Sequence, residues 1–276
     1  MSSKFGIEKQ SRLASAVMLA GVAATAGFIL ACANSQPKYT PLPSSHWNEN
    51  YFYNYDPPQT SKPASVKVNV IVVNPFYREA ESAFNDAFYA KVGRGFSKSM
   101  GVDLDKIIVA KGMTAVGPYA TLDDVTYPDK KGAEITLAPR IFLTLDTKFG
   151  NTSNAVYQGI GYLQKPFTMK IGGWVAYEMR EPLSGQKLWV KKLELEEREV
   201  RDVEIYEAVA VRRDQYGNVT QWGEGKRVYS GREDALADAL KDFYPVIMEK
   251  AWTYINTDEI LELTEKTKEI RERKVY

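Results

Sequence analysis

Two side chains dominate a search for chemistry in this 276-residue chain, because Cys32 and His46 are its only cysteine and its only histidine. A lone cysteine serves as a buried core residue, a reactive thiol or an attachment point. One cysteine excludes an internal disulfide, and with one histidine it leaves few soft metal ligands. His46 lies in a Pro-, Asn- and Tyr-rich stretch, where a surface residue is the plainer reading than a ligand or base. In LELEEREV, the carboxylates of Glu194, Glu196, Glu197 and Glu199 alternate among basic residues, which fits a solvated sheet face better than a metal site. Asp123 and Asp124 are adjacent and point different ways. In WGEGKRV, Gly225-Lys226 lacks the earlier glycine of a phosphate loop and is followed by Arg227, so a hairpin turn is expected there. Neither Gly-x-Ser-x-Gly nor His-Glu-x-x-His occurs. Carboxylate, lysine or tyrosine catalysis stays chemically open, but the expectation is a non-enzymatic protein with no catalytic residue, cofactor or metal.

Charge narrows the partners. Lys and Arg (36) nearly cancel Asp and Glu (35), and without residues 1–31 the balance is 33 against 34. No cationic excess is left to draw the protein to nucleic acid or to an anionic membrane by long-range attraction. With 44% hydrophobic and 26% charged residues, most of the chain can bury a core.

The elements that place Cys32 come first along the chain. A mildly basic stretch, residues 4–12, precedes an apolar run of 19 residues, 13–31. That length is near a bilayer span. Its Ala/Gly richness, its small residues at the C-terminal end and the absence of positive charge after it favour a signal peptide instead. Ile29-Leu30-Ala31-Cys32 resembles the bacterial lipobox, in which the cysteine thiol takes a diacylglycerol before cleavage. The resemblance makes Cys32 a lipidation site, 1–31 a lipoprotein signal peptide and the outer membrane a partner through that lipid. Each buried methylene contributes about 0.8 kcal/mol, so several acyl chains hold essentially permanently. In the Gram-negative lipoproteins that this segment resembles, a residue other than Asp after the cysteine, here Ala33, implies export to the outer membrane.

Residues 32–65 read as a lipid-anchored tether, since Pro37, Pro41, Pro43, Pro57, Pro58 and Pro63 preclude a long helix or a central strand. Trp47, Tyr51, Phe52, Tyr53 and Tyr55 are too many rings for a solvated linker. They either pack back on the domain or present a face to a partner or glycan.

Residues 66–276 read as one α+β domain. The β-branched run 66–73 predicts a strand, 79–100 an amphipathic helix whose last turns Gly93 and Gly95 bend, and 107–109 a second strand, giving a β-α-β unit. A helical turn is expected at 122–125. The period then becomes two. Residues 133–145 form a half-buried strand with Pro139 at an edge or bulge, 147–154 a polar loop, and 167–180 a strand reversed by EPLSGQ into a hairpin. A second hairpin is expected from 205–211 and 219–222 about DQYGN. Ser230 and Glu233 match a capping box before a helix over 234–254, which Pro245 kinks or divides. A charged, peripheral helix follows over 258–274. The sheet is thus packed by an N-terminal amphipathic helix and C-terminal helices. Trp174 and Trp222 could stack on a sugar ring, though on alternating strands packing is the plainer role.

The domain resembles the neuraminyllactose-binding haemagglutinin family of outer-membrane lipoproteins, also described as flagellar sheath adhesins. The likeness rests on VNPFYREAESAFNDAF, YPDKKGAEITLAPR, EPLSGQ and DALADALKDFYPVIMEKAWTYI, in order behind the lipobox. It implies a lipoprotein of the cell surface or flagellar sheath, with host glycan or an envelope or sheath protein as partner. The short Lys-Arg-Thr run proposed to contact sialyllactose in the founding adhesin is absent here, and Arg140 and Lys148 are the nearest basic residues. No glycan contacts are therefore carried over. A rival reading with the same anchor is a periplasm-facing lipoprotein that binds a protein partner, reached by a tether of roughly 30 residues.

Overall fold

The computed structural model describes residues 40–47, 50–58, 66–77 and 87–274. The expected signal segment 1–31 and the acylation point Cys32 lie outside the described residues. So does the start of the expected N-terminal helix, residues 79–86.

Among the described residues the chain is α+β, with four α-helices and an eight-stranded mixed sheet. Strand β1 (Asn69–Val73) is followed by α1 (Ala90–Ala110) and by β2 (Thr114–Tyr119), which pairs parallel to β1. This is the expected β-α-β unit with its boundaries moved. Residues 107–109 are the last turn of α1, not a strand. Phe96, Met100, Leu104, Ile107 and Ile108 continue one apolar stripe at helical spacing, and all are fully buried. Gly93 and Gly95 therefore sit near the start of the helix. β1 is buried on both faces, Val70 and Val72 in the main core and Ile71 and Val73 in a smaller cluster with Val125, Ala133 and Ala138. A parallel strand covered on both sides needs such an unbroken apolar run.

A 3-10 turn (Leu122–Asp124) and the short helix α2 (Tyr127–Gly132) lead to β3 (Ile135–Leu137), parallel to β1 on its other side. The expected single strand around Pro139 is split there, with β4 (Arg140–Phe149) starting afresh. Strand β5 (Ser153–Tyr157) shortens the expected 147–154 loop from both sides. Gln158 and Gly159, at φ 51° and 77°, then make a tight reversal into β6 (Ile160–Arg180).

The long strand β6 organises the sheet. One of its edges carries β5, β4 and β3 in succession, and the other pairs antiparallel with β7 (Lys187–Arg213) through the expected EPLSGQ reversal. β8 (Val219–Ser230) closes the second expected hairpin against β7. WGEGKRV lies inside β8, so the turn expected there is absent. Gly223 and Gly225 are flat seats for neighbours on β7: a Cβ on either would stand 2.3 Å from a Val211 methyl and 2.7 Å from a Val209 methyl, respectively.

Phe167, Met169, Ile171, Val175, Tyr177 and Met179 of β6 point to the inner face, under α1 and α3 (Arg232–Tyr254). Each such burial stabilises by about 1.5–3 kcal/mol. Opposite them, Ile171 pairs with Arg198 but Gly173 pairs with Leu195, so β7 bulges around Glu196 and Glu197. The extra residue inverts the parity of β7. Trp189, Lys191, Leu193 and Leu195 share the inner face before the bulge; Val200, Asp202 and Glu204 share it after.

α3 runs through Pro245 without a break, so the expected division is not found. Its capping box is also not formed: the N-cap is Gly231, and the Ser230 hydroxyl donates to Glu204 Oε1 at 3.1 Å. α4 (Thr257–Arg273) is docked more firmly than a peripheral helix, with Ile260, Leu263, Thr264 and Thr267 buried.

Candidate functional site

The aromatic stretch before the expected domain start packs back on the body. Tyr51 and Tyr53 are buried while Phe52 between them is exposed, the alternation of an extended strap with every second ring turned inward. Tyr53 stacks on Tyr244 of α3 at 5.2 Å and meets Phe96 of α1 edge-on at 5.3 Å. Trp47 lies 5.5 Å from Tyr53. Gly95 lets the strap backbone approach α1, since a Cβ there would stand 2.3 Å from the Tyr51 carbonyl oxygen.

Asp103, buried on α1, ties strap and helices together. It accepts from the Tyr55 amide at 2.7 Å and the Tyr244 hydroxyl at 2.6 Å, and it pairs with Lys106 at 2.7 Å. Sequence reading missed this residue. Its signal was a carboxylate at 103 inside the apolar stripe 100, 104, 107. Burial pushes the Tyr53, Tyr177 and Tyr244 phenols far above their ordinary range, so none serves as a base near neutrality.

Next to the strap, His46 meets carboxylates on α3. Its Nε2 lies 3.0 Å from Asp238 Oδ1 and its Nδ1 lies 3.5 Å from Asp234 Oδ2. The Ser45 hydroxyl donates to Asp234 Oδ1 at 2.7 Å, and the Trp47 indole N–H donates to Asp238 Oδ1 at 3.1 Å. The hydrogen bond to Asp238 raises the pKa of His46, assisted by the charges of Asp238, Asp234 and Asp202. Burial, with the like charges of Asp234 and Asp238, raises that of Asp202. This surface histidine latches the strap to the first turns of α3. Among the described residues no cluster of His, Cys, Asp and Glu has the arrangement of a metal site.

The other buried carboxylates are closed into structural pairs. Glu178 is held by Arg140 at 2.5 Å, by Lys187 at 3.0 Å and by Arg180. Burial alone would raise its pKa, but Lys187, Arg180 and Arg140 outweigh burial and hold it low. Glu181 caps the hairpin turn through the Leu183 and Ser184 amides and receives Arg271 of α4 at 3.0 Å. The same guanidinium donates to the Ala133 carbonyl at 2.8 Å, beyond the end of α2. Glu204 gathers Arg227, Arg232, Ser230 and Tyr206 at the start of α3.

The outer face of the sheet is different. Lys148, Thr168 and Arg201 form one cross-strand row on β4, β6 and β7. With Gly150, Pro166, Phe167, Asp202 and Val203 they line an open concavity of about 400 Å³. Lys148 and Arg201 are largely exposed, with their nearest carboxylates, Asp146 and Glu199, on the same strands. Of the two basic residues singled out from sequence, Arg140 is thus committed to Glu178 while Lys148 faces outward. Glu194, Glu197 and Glu199 pair with Lys192, Lys170 and Arg201 on the same face, as a solvated surface requires. Trp174 stacks on Phe142 at 5.7 Å beneath Lys192, a packing role, whereas Trp222 is half exposed near the far end of β8.

No family model matches the chain. No curated protein matches it either. Among solved structures, a candidate neuraminyllactose-binding hemagglutinin homolog from Helicobacter pylori aligns at 10% identity and TM-score 0.47, covering 78% of this chain and 98% of that one. The likeness is one of fold alone. A hypothetical protein from Chlamydia trachomatis aligns at 9% identity and TM-score 0.25, covering 69% of this chain and 96% of that one. Neither bears on what this chain binds.

Proposed function

We propose that the protein works by binding rather than catalysis, as an outer-membrane lipoprotein held through lipid on Cys32. In this reading it is an adhesin or flagellar-sheath component whose outer sheet face meets the ligand. One contrast carries the reading. The buried carboxylates Asp103, Glu178, Glu181, Glu204 and Asp234 are all engaged in holding elements together, while Lys148 and Arg201, each paired among the described residues only with a surface carboxylate of its own strand, flank an open concavity with the Thr168 hydroxyl between them. Two cations and a hydroxyl on a rigid sheet suit an acidic or hydroxyl-rich ligand such as a glycan. The rival periplasmic reading rests on the same anchor and the aromatic-rich tether, and two of that tether's rings, Tyr51 and Tyr53, are buried against the body.

Protease treatment of intact cells tests the placement: loss of the body supports it, and protection until the outer membrane is opened overturns it. A glycan array tests the ligand face. Lys148→Ala with Arg201→Ala should abolish retention on acidic glycans while changing stability by no more than about 0.5 kcal/mol. Retention unchanged in the double variant would overturn that assignment.

A further inference from the structure

The strands β5, β6, β7 and β8 meet at one end of the sheet, and the described chain begins there. The Gln158 amide, in the β5–β6 turn, donates to the Thr40 carbonyl at 3.1 Å. Only Ala33 to Tyr39 separate Thr40 from Cys32. Eight Cα steps span at most about 28 Å when fully extended. A lipid on Cys32 therefore keeps this end of the sheet within that reach of the bilayer, much closer than a free tether running to Val66 would.

The same end gathers several of the exposed apolar side chains among the described residues. β7 continues from Glu207, the last residue paired to β6, to Arg213, with β8 as its only partner. At ~3.3 Å per residue the hairpin projects about 20 Å further, a distance comparable to the tether's reach. Apolar side chains stand on both of its faces, among Arg212, Gln221 and Glu224. On one, Val209 and Val211 (61% exposed) lie over Gly225 and Gly223. On the other, half-exposed Trp222 is flanked by Val156 (66% exposed) across a shallow depression at Gly161 and Ala208. Tyr216, 80% exposed, stands at the tip. A two-stranded hairpin that exposes large apolar side chains on both faces is poorly matched to water. Its tip is also cationic. Arg212 and Arg213 precede Asp214, whose carboxylate is taken up by the Tyr216 and Asn218 amides at 2.9 and 2.8 Å, and Arg213 donates one N–H to the Gly217 carbonyl at 2.8 Å.

We propose that this hairpin docks on the bilayer that holds the lipid anchor, with Tyr216, Trp222 and Val211 in the headgroup zone and Arg212 and Arg213 against lipid phosphates. Tyr and Trp with adjacent arginine suit that zone, where an apolar ring body and a polar tip are both accommodated. The protein is then held at two points, and its outer sheet face is fixed in orientation rather than swinging on a tether. The proposal rests on the reading of Cys32 as the acylated residue.

The test uses the mature acylated protein carrying Tyr216→Cys, labelled with an environment-sensitive fluorophore and reconstituted in phosphatidylethanolamine/phosphatidylglycerol vesicles. Gln186→Cys, in the turn at the opposite end of the sheet, is the reference. The label at 216 should shift to the blue and lose most of its emission to headgroup-region quencher lipids, while the label at 186 stays in water. Equal, unquenched emission at both positions overturns the proposal. A blue shift that appears without vesicles and grows with protein concentration also overturns it, since the hairpin would then be pairing with a second copy. Mass spectrometry of the same sample keeps the two ideas apart. A free thiol at Cys32 sinks the anchoring reading itself; with the acyl mass present, a solvated label at 216 sinks only the docking.

Discussion

Strand β7 is finished in two ways along its length. Around Met169, Ile171 and Tyr177 the inner face of β6 and β7 lies under α1, α3 and the strap, and side chains there are wholly buried. Beyond Glu207 the strand leaves β6 and the helices behind and continues with β8 alone, and Val211, Tyr216 and Trp222 stand in the open. The strap belongs to both regions. It begins beside the β5–β6 turn at Thr40 and ends at Asp103 between the helices. Stability and contact with the outside are thus divided along a single sheet, and substitutions in the two regions should separate cleanly.

The largest effect is expected in the strap. Tyr53→Ala empties a site packed between Phe96 and Tyr244, and such truncations cost about 3–5 kcal/mol. Phe52→Ala, at the next residue, removes an exposed ring and should change stability by under about 0.5 kcal/mol. Urea denaturation of the pair measures the contrast. Equal costs would mean that the strap is a loose cover and not part of the core.

Glu178→Gln comes second, at about 3 kcal/mol, because it leaves Arg140, Arg180 and Lys187 around a neutral amide. The sign with pH follows from the depressed pKa. The stabilisation is present above the ordinary carboxylate range and is lost as pH falls through it. Melting temperatures from pH 7 to 3 should therefore fall less steeply in the variant than in the parent. Parallel curves would remove Glu178 from the acid response.

Much of the covered half was legible. β-branched runs, the stripe of α1 and the Pro/Gly reversal at EPLSGQ marked an α+β chain with a central hairpin. What escaped has particular causes. Residues 107–109 look like a strand only if read apart from Phe96, Met100 and Leu104, whose spacing carries them into the helix. The bulge in β7 was signalled by Glu196-Glu197, a doublet that breaks a period of two, but its consequence depends on pairing with β6. That shift turns Asp202 and Glu204 inward to meet α3. Asp103 and the latch at Asp234 and Asp238 are assembled by residues far apart in the chain, and local patterning carries no trace of their partners. The choice between rings packed back and rings facing a partner stayed open for the same reason, since Tyr53 finds its partners in α1 and α3.

A smaller effect is expected at His46, largely exposed and flanked by Asp234 and Asp238 of α3 and by Asp202 of β7. Its raised pKa means that the latch stabilises fully below the ordinary histidine value and fades as pH rises through the folded one. Screening at the surface keeps the contribution below about 1 kcal/mol. Amide exchange at residues 45–47 should be slower at pH 6 than at pH 8 after correction for intrinsic rates, and His46→Gln should remove the difference. An unchanged difference in the variant would assign the pH response to the carboxylates.

The smallest expected effect is at Trp222, and it constrains the comparison most. Deleting a buried indole costs about 3–5 kcal/mol, but a half-exposed one on a two-stranded ribbon has little to lose in water. Trp222→Ser should therefore leave the denaturation midpoint of the detergent-solubilised protein within about 0.5 kcal/mol of the parent. The same substitution should weaken headgroup quenching at position 216 in vesicles, because it removes the ring that the bilayer would bury. A cost above about 2 kcal/mol in detergent would show that the ribbon end is packed against the body. The division between a covered and an open half would then fail, and the hairpin would have no free surface with which to dock.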